Sequence, residues 1–174
     1  MISIEQCKAQ FEKLNNIDFD LATCDNTALA LLAKMHTAQK AGDKEAMLGV
    51  CNEALSLADG AQGKIFDTAV CAFALSEISA CMEGGAYLNE HAQMMADGII
   101  RSRADLSADE NAAAASLLMA VQNVHLPPFM RPAYIGHARR FALRAASGEL
   151  SPMGQWLLKL AAERLITARG KYQW

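Results

Sequence analysis

The chain has 174 residues and a formal net charge of −3, which suits one domain with a sizeable core and is short for two. It carries 33 Ala and 20 Leu against 18 Val, Ile and Thr together, a composition that favours helices and argues against an all-β or parallel α/β fold. Four prolines and 20% charged residues exclude a low-complexity or disordered chain. The expected architecture is all-α: one domain over 1–174, a bundle of about eight helices packed as antiparallel αα-hairpins.

Capping and breaker residues divide the sequence. Ser3 with Gln6 forms a capping box that opens a helix to about Asn15, with Ile4, Cys7, Phe11 and Leu14 on one stripe. After a linker, Asp25 or Asn26 caps a helix to Ala41, and Gly42 stops it. Asp43 then caps a helix to about Ala58. Its Met47, Val50, Cys51, Ala54 and Ala58 are expected inward, and Lys44, Glu45, Asn52, Glu53 and Ser56 outward. The stretch Leu32 to Asp59 resembles one tetratricopeptide hairpin, with Ala38, Ala46 and Ala54 as its small crossing residues. The turn is off by a residue, no proline closes the unit, and no second copy follows at a 34-residue period. It is therefore read as an ordinary αα-hairpin, with no family assigned.

Lys64 to Glu83 is apolar on most faces and leaves only a strip with Asp67, Ser76 and Glu77, which marks it as a central helix. Gly84 and Gly85 end it. From about Ala86 to Ala104, Leu88, Ala92, Met95 and Ile99 share an inner face. Asn89, Glu90, Gln93, Asp97 and Arg101 share the outer one, with Asp97 set four residues before Arg101 as for an ion pair. A second capping box, Ser107 to Glu110, opens a helix to about Val124 whose run Ala112 to Ala115 permits close helix approach, so this segment is also expected to be buried. The segment His125 to Pro132 is rich in proline and cannot continue that helix. Pro132 suits the first turn of the next helix, to about Ser147, and Ser151-Pro152 opens the last, to about Ala168, with Leu157, Ala161, Leu165 and Ala168 inward. The tail Gly170 to Trp174 is expected to fray unless Trp174 docks.

No signal-like leader and no stretch long enough to cross a bilayer is evident, so membrane association is not expected. Five cysteines, an odd number without a C-x-x-C, fit buried reduced thiols in a cytoplasmic protein. The net charge conceals an asymmetry. Residues 1–97 hold 14 acidic and 6 basic side chains, whereas residues 98–174 hold 5 acidic and 10 basic, including all eight arginines.

No nucleophile elbow, phosphate-binding loop, dinucleotide fingerprint or zinc-protease motif occurs. His36 and His91 are isolated, and the Glu-x-x-His pattern of di-metal bundles is missing. Neither a metal nor a cofactor is expected, and catalysis is not. The one constellation of interest is basic: His137, Arg140 and Arg144 fall within a narrow stripe of a helix, Tyr134, Ala138, Phe141 and Ala145 beside them, while Arg131 follows Phe129 in the proline-rich loop. Guanidinium groups grip carboxylate and phosphate bidentately. The leading expectation is a non-catalytic protein-binding module (adaptor, chaperone-like subunit or inhibitor/immunity-type protein) that occupies a partner's surface, an acidic one suiting it. Its contacts would be Phe129, Arg131, His137, Arg140 and Arg144. The alternatives are a nucleic-acid or nucleoprotein-associated factor using the basic half, and an enzyme or ligand carrier with a pocket inside the bundle. Self-association through an apolar face is a further option.

Overall fold

The Gly42-Asp43 turn shows how the sequence dictates the chain path. Gly42 takes φ 68°, the left-handed conformation that lets its N–H bond back to the Gln39 carbonyl at 3.1 Å while the Asp43 N–H reaches the Ala38 carbonyl at 3.0 Å. The Asp43 carboxylate then accepts from the Ala46 N–H at 3.0 Å and starts the next helix. One dipeptide thus ends one helix and begins another.

The structure, a computed structural model, describes Leu14 and residues 19–102, 104–124 and 126–171. The expected helix Ser3 to Asn15 lies outside these, apart from Leu14, which is buried; Cys7, His125 and Trp174 also lie outside. Among the described residues there are seven α-helices and no strand: α1 (Thr27–Ala41), α2 (Lys44–Gly60), α3 (Ile65–Ala80), α4 (Ala86–Arg101), α5 (Ala108–Asn123), α6 (Arg131–Ala146) and α7 (Pro152–Lys171). No described helix is long and apolar enough to cross a membrane.

Two helices organise the bundle. α5 packs on α3, α4, α6 and α7, and α3 in turn packs on α1, α2, α4 and α5. Twelve consecutive residues of α5, Asn111 to Gln122, are buried, as the alanine run predicts: with Cβ alone on one side, neighbouring backbones close in from every direction. α3 buries Ala69 to Ser76 continuously. The capping box at Ser107 is present, with Ser107 Oγ accepting from the Glu110 N–H at 3.2 Å and the Glu110 carboxylate accepting from the Ser107 N–H at 2.7 Å.

Three readings of the sequence are corrected. Ser76 and Asn89, expected on solvent-facing strips, are buried, because each satisfies the other: Ser76 Oγ donates to Asn89 Oδ1 at 2.7 Å, and Asn89 Nδ2 donates to the Val124 carbonyl at 2.7 Å. The pairing locks α3 and α4 to the C-terminal end of α5. Asp97 does not pair with Arg101; it accepts from Tyr134 Oη at 2.5 Å, across to α6. α7 continues to Lys171 rather than stopping near Ala168.

Trp156 of α7 bridges two layers. It stacks on Phe19 at 5.1 Å between centroids and meets Phe73 of α3 edge-on at 6.4 Å. Beside it, Arg164 clamps Glu77 bidentately at 2.6 and 2.8 Å with its guanidinium 5.9 Å over the Phe73 ring.

Candidate functional site

The α5–α6 connection is held at three points. Leu126 is buried in the core, the Met130 N–H closes a turn onto the Pro127 carbonyl at 3.0 Å, and Arg131 Nε donates to the Leu126 carbonyl at 3.1 Å. The two sides of this loop therefore behave differently. Leu126 plugs the bundle, whereas Phe129 stands 83% exposed on a tied turn. Three other large apolar side chains are exposed among the described residues: Leu48, Tyr87 and Met94.

Along α6, the apolar arc read from the sequence is buried: Tyr134, Ala138, Phe141 and Ala145. This orientation leaves His137 half-buried and Arg140 and Arg144 exposed. The three share a cavity of about 220 Å³ with Ile100, Ser102, Ala104, Leu106 and Phe141. The far wall is the α4–α5 connection, which Asn111 pins by donating from Nδ2 to the Leu106 and Ser107 carbonyls at 2.9 and 2.8 Å. Arg140 Nη2 lies 2.7 Å from His137 Nδ1. It lies 3.4 Å from Nε2 as well, so the guanidinium sits across the Nδ1–Nε2 edge of the ring. Burial, then the Arg140 charge, holds the His137 imidazolium below its ordinary range.

Of the residues singled out in the sequence, the structure gathers His137, Arg140 and Arg144 into one cavity. Arg131 lies apart. It opens α6 and, with Gln122, Asn123, Glu163, Arg164 and Thr167, lines a separate cavity of about 360 Å³. Phe129 lines neither. Sequence reasoning missed Ser102 and Leu106, which complete the smaller cavity from a loop that has no periodicity to read, and Asn111, which pins that loop from α5. It also missed the Tyr134–Asp97 bond, in which burial and then the Asp97 carboxylate raise the phenol well above its ordinary range.

Three of the cysteines, Cys51, Cys71 and Cys81, are poor nucleophiles. Burial, then the nearby Asp67 carboxylate, pushes Cys71 up to about 11, and burial also raises Cys51 and Cys81. Among the described residues no group of three His, Cys, Asp or Glu side chains is placed to hold a metal ion. No protein-family model, no curated protein and no solved structure matches the chain.

Proposed function

We propose that the protein is a non-catalytic binding module, of adaptor, chaperone-like or inhibitor/immunity type, that acts in the cytoplasm by occupying an acidic surface of a partner protein. The observation that carries this reading is Phe129, 83% exposed on a turn tied by Leu126, Met130 and Arg131. A phenyl ring held in water by an ordered loop is an anchor already organised for a partner's pocket, so little conformational entropy is lost when it docks. Burying at least 150 Å² of aromatic surface at about 25 cal/mol per Å² amounts to about 3–4 kcal/mol. Arg131 beside it, and Arg140 and Arg144 farther along α6, supply the charge that selects an acidic partner, with His137 adding a hydrogen-bonding group.

The test is capture from the native cell extract with the wild-type protein and with Phe129→Ala. The reading expects a discrete acidic protein retained by the wild type and weakened about 100-fold or more by the substitution. It falls if no protein is retained, or if Phe129→Ala captures equally well. Recovery of nucleic acid instead, with log K falling steeply against log salt, would transfer the function to the nucleic-acid reading.

A further inference from the structure

The small cavity on α6 differs in its charge balance from two other cavities lined by described residues. In the one that Arg131 lines, Arg164 is neutralised by Glu77 and Glu163 lies in the same lining. A third, of about 400 Å³, carries Asp25 and Asp67 and no basic side chain. In the small one, Arg140 and Arg144 both face the space, and among the described residues neither has a carboxylate within 4.0 Å. Asp105, between the lining residues Ala104 and Leu106, is exposed and pairs with neither arginine, and Asp97 on α4 is occupied by Tyr134.

We propose that the cavity between the α4–α5 connection and α6 is a binding site for an oxyanion group, phosphoryl or carboxylate, held by Arg140 and Arg144 with Ser102 and His137 as further donors. Two guanidinium groups one helical turn apart offer paired N–H forks to a single group. Ser102 Oγ accepts from the Ala104 N–H at 3.2 Å, which leaves its hydroxyl hydrogen to donate. The His137 ring supplies a further N–H donor. Ile100, Leu106 and Phe141 supply apolar walls that reduce screening of the charges. At about 220 Å³, the space holds about seven water volumes and falls short of the ~300 Å³ at which pockets for whole small molecules begin. It therefore takes an anionic group carried by something larger, or a free inorganic anion. A bound anion would offset the Arg140 charge, the second of the two causes, after burial, that lower the His137 pKa.

The inference rests on the same basic face as the proposed function, but it is read on the isolated protein, so the two fail separately. Isotope-labelled protein is titrated with inorganic phosphate and, separately, with acetate at low ionic strength. The His137 ring and the arginine Nε–H signals are followed by NMR. The expected result is a saturable shift at His137, Arg140 and Arg144, a rise in the His137 pKa with bound anion, and weakening by at least about tenfold in Arg140→Gln and in Arg144→Gln. Both side chains are exposed, and unchanged melting of the two variants confirms that they fold. Lys44→Gln, the same charge change on α2, should leave binding as in the wild type. Saturation by phosphate alone assigns a phosphoryl group, and comparable saturation by acetate assigns a carboxylate. Shifts that fail to saturate with either anion, or that persist unchanged in both arginine variants, overturn the assignment.

Discussion

Replacing Asn89 by alanine removes the side chain that joins three helices. Ser76 Oγ loses its acceptor at 2.7 Å and the Val124 carbonyl loses its donor at 2.7 Å. Each hydrogen bond contributes about 1 kcal/mol net, and each group left buried without a partner costs about 1–3 kcal/mol more, reduced where it can reach water. Ser76 is fully buried, whereas Val124 is half-buried, so most of the penalty falls on the hydroxyl. The total comes to about 3 kcal/mol. For a chain of this length that lowers Tm by about 6–12 °C. Ser76→Ala removes the hydroxyl that Asn89→Ala would orphan, so the double variant should be more stable than the sum of the two single losses implies, by about 1 kcal/mol. Urea denaturation of the four proteins followed by far-UV circular dichroism measures this cycle. An Asn89→Ala protein within about 0.5 kcal/mol of the wild type, or two losses that simply add, would refute the view that this buried polar bridge fastens α3, α4 and α5 together.

Gly136 and Gly154 should respond oppositely to alanine. Nothing lies near a Cβ added at Gly136, inside α6, so Gly136→Ala should stabilise by about 0.5–1 kcal/mol through helix propensity. At Gly154 the new methyl would overlap Asp109 Oδ1, which accepts from the Ser151 N–H at 3.0 Å. There the same substitution should destabilise by about 1–3 kcal/mol in chemical denaturation. Glu77→Gln breaks the two-point clamp on Arg164 and should cost about 1–3 kcal/mol, with a Glu77→Gln/Arg164→Met pair recovering part of the loss. The His137 pKa is lower in the folded protein than its ordinary 6.5, so between those values the unfolded chain binds more protons. Stability should then fall as pH drops from about 6.5 through the folded pKa, and His137→Gln should flatten that slope in pH-dependent melting curves. Cys71, pushed up to about 11, should resist iodoacetamide at pH 8 in the native protein and react once urea unfolds it.

Much of this was written in the sequence, and the exceptions have physical causes. Helix starts were legible at Asp43 and Ser107 because a side-chain oxygen must satisfy an otherwise orphaned backbone N–H, and only a few residue types do so. The burial of α5 followed from alanine's small volume. Ser76 and Asn89 were misplaced because polarity at helical spacing is the same signal whether a residue meets water or another polar side chain, and residues 13 apart in sequence reveal no pairing. The Asp97 assignment failed in a related way. An i,i+4 partner is visible in the sequence, but an exposed pair with Arg101 is worth only a few tenths of a kcal/mol, less than a bond to a buried phenol. The stripe of His137, Arg140 and Arg144 was legible from its periodicity on α6. The walls contributed by Ser102 and Leu106 were not, since a loop's path is set by tertiary packing, here by Asn111. Phe129 and Leu126 were indistinguishable by composition, and only the turn that ties the loop separates the buried side chain from the exposed one.

The most direct test of a partner-occupying role places a photoreactive phenylalanine analogue at position 129, and at the exposed Leu48 as a control, in the native cell. After irradiation, the position 129 protein should yield a discrete crosslinked adduct with one protein, and the position 48 protein should not. An absence of adduct at position 129, or the same adducts from both positions, would contradict it.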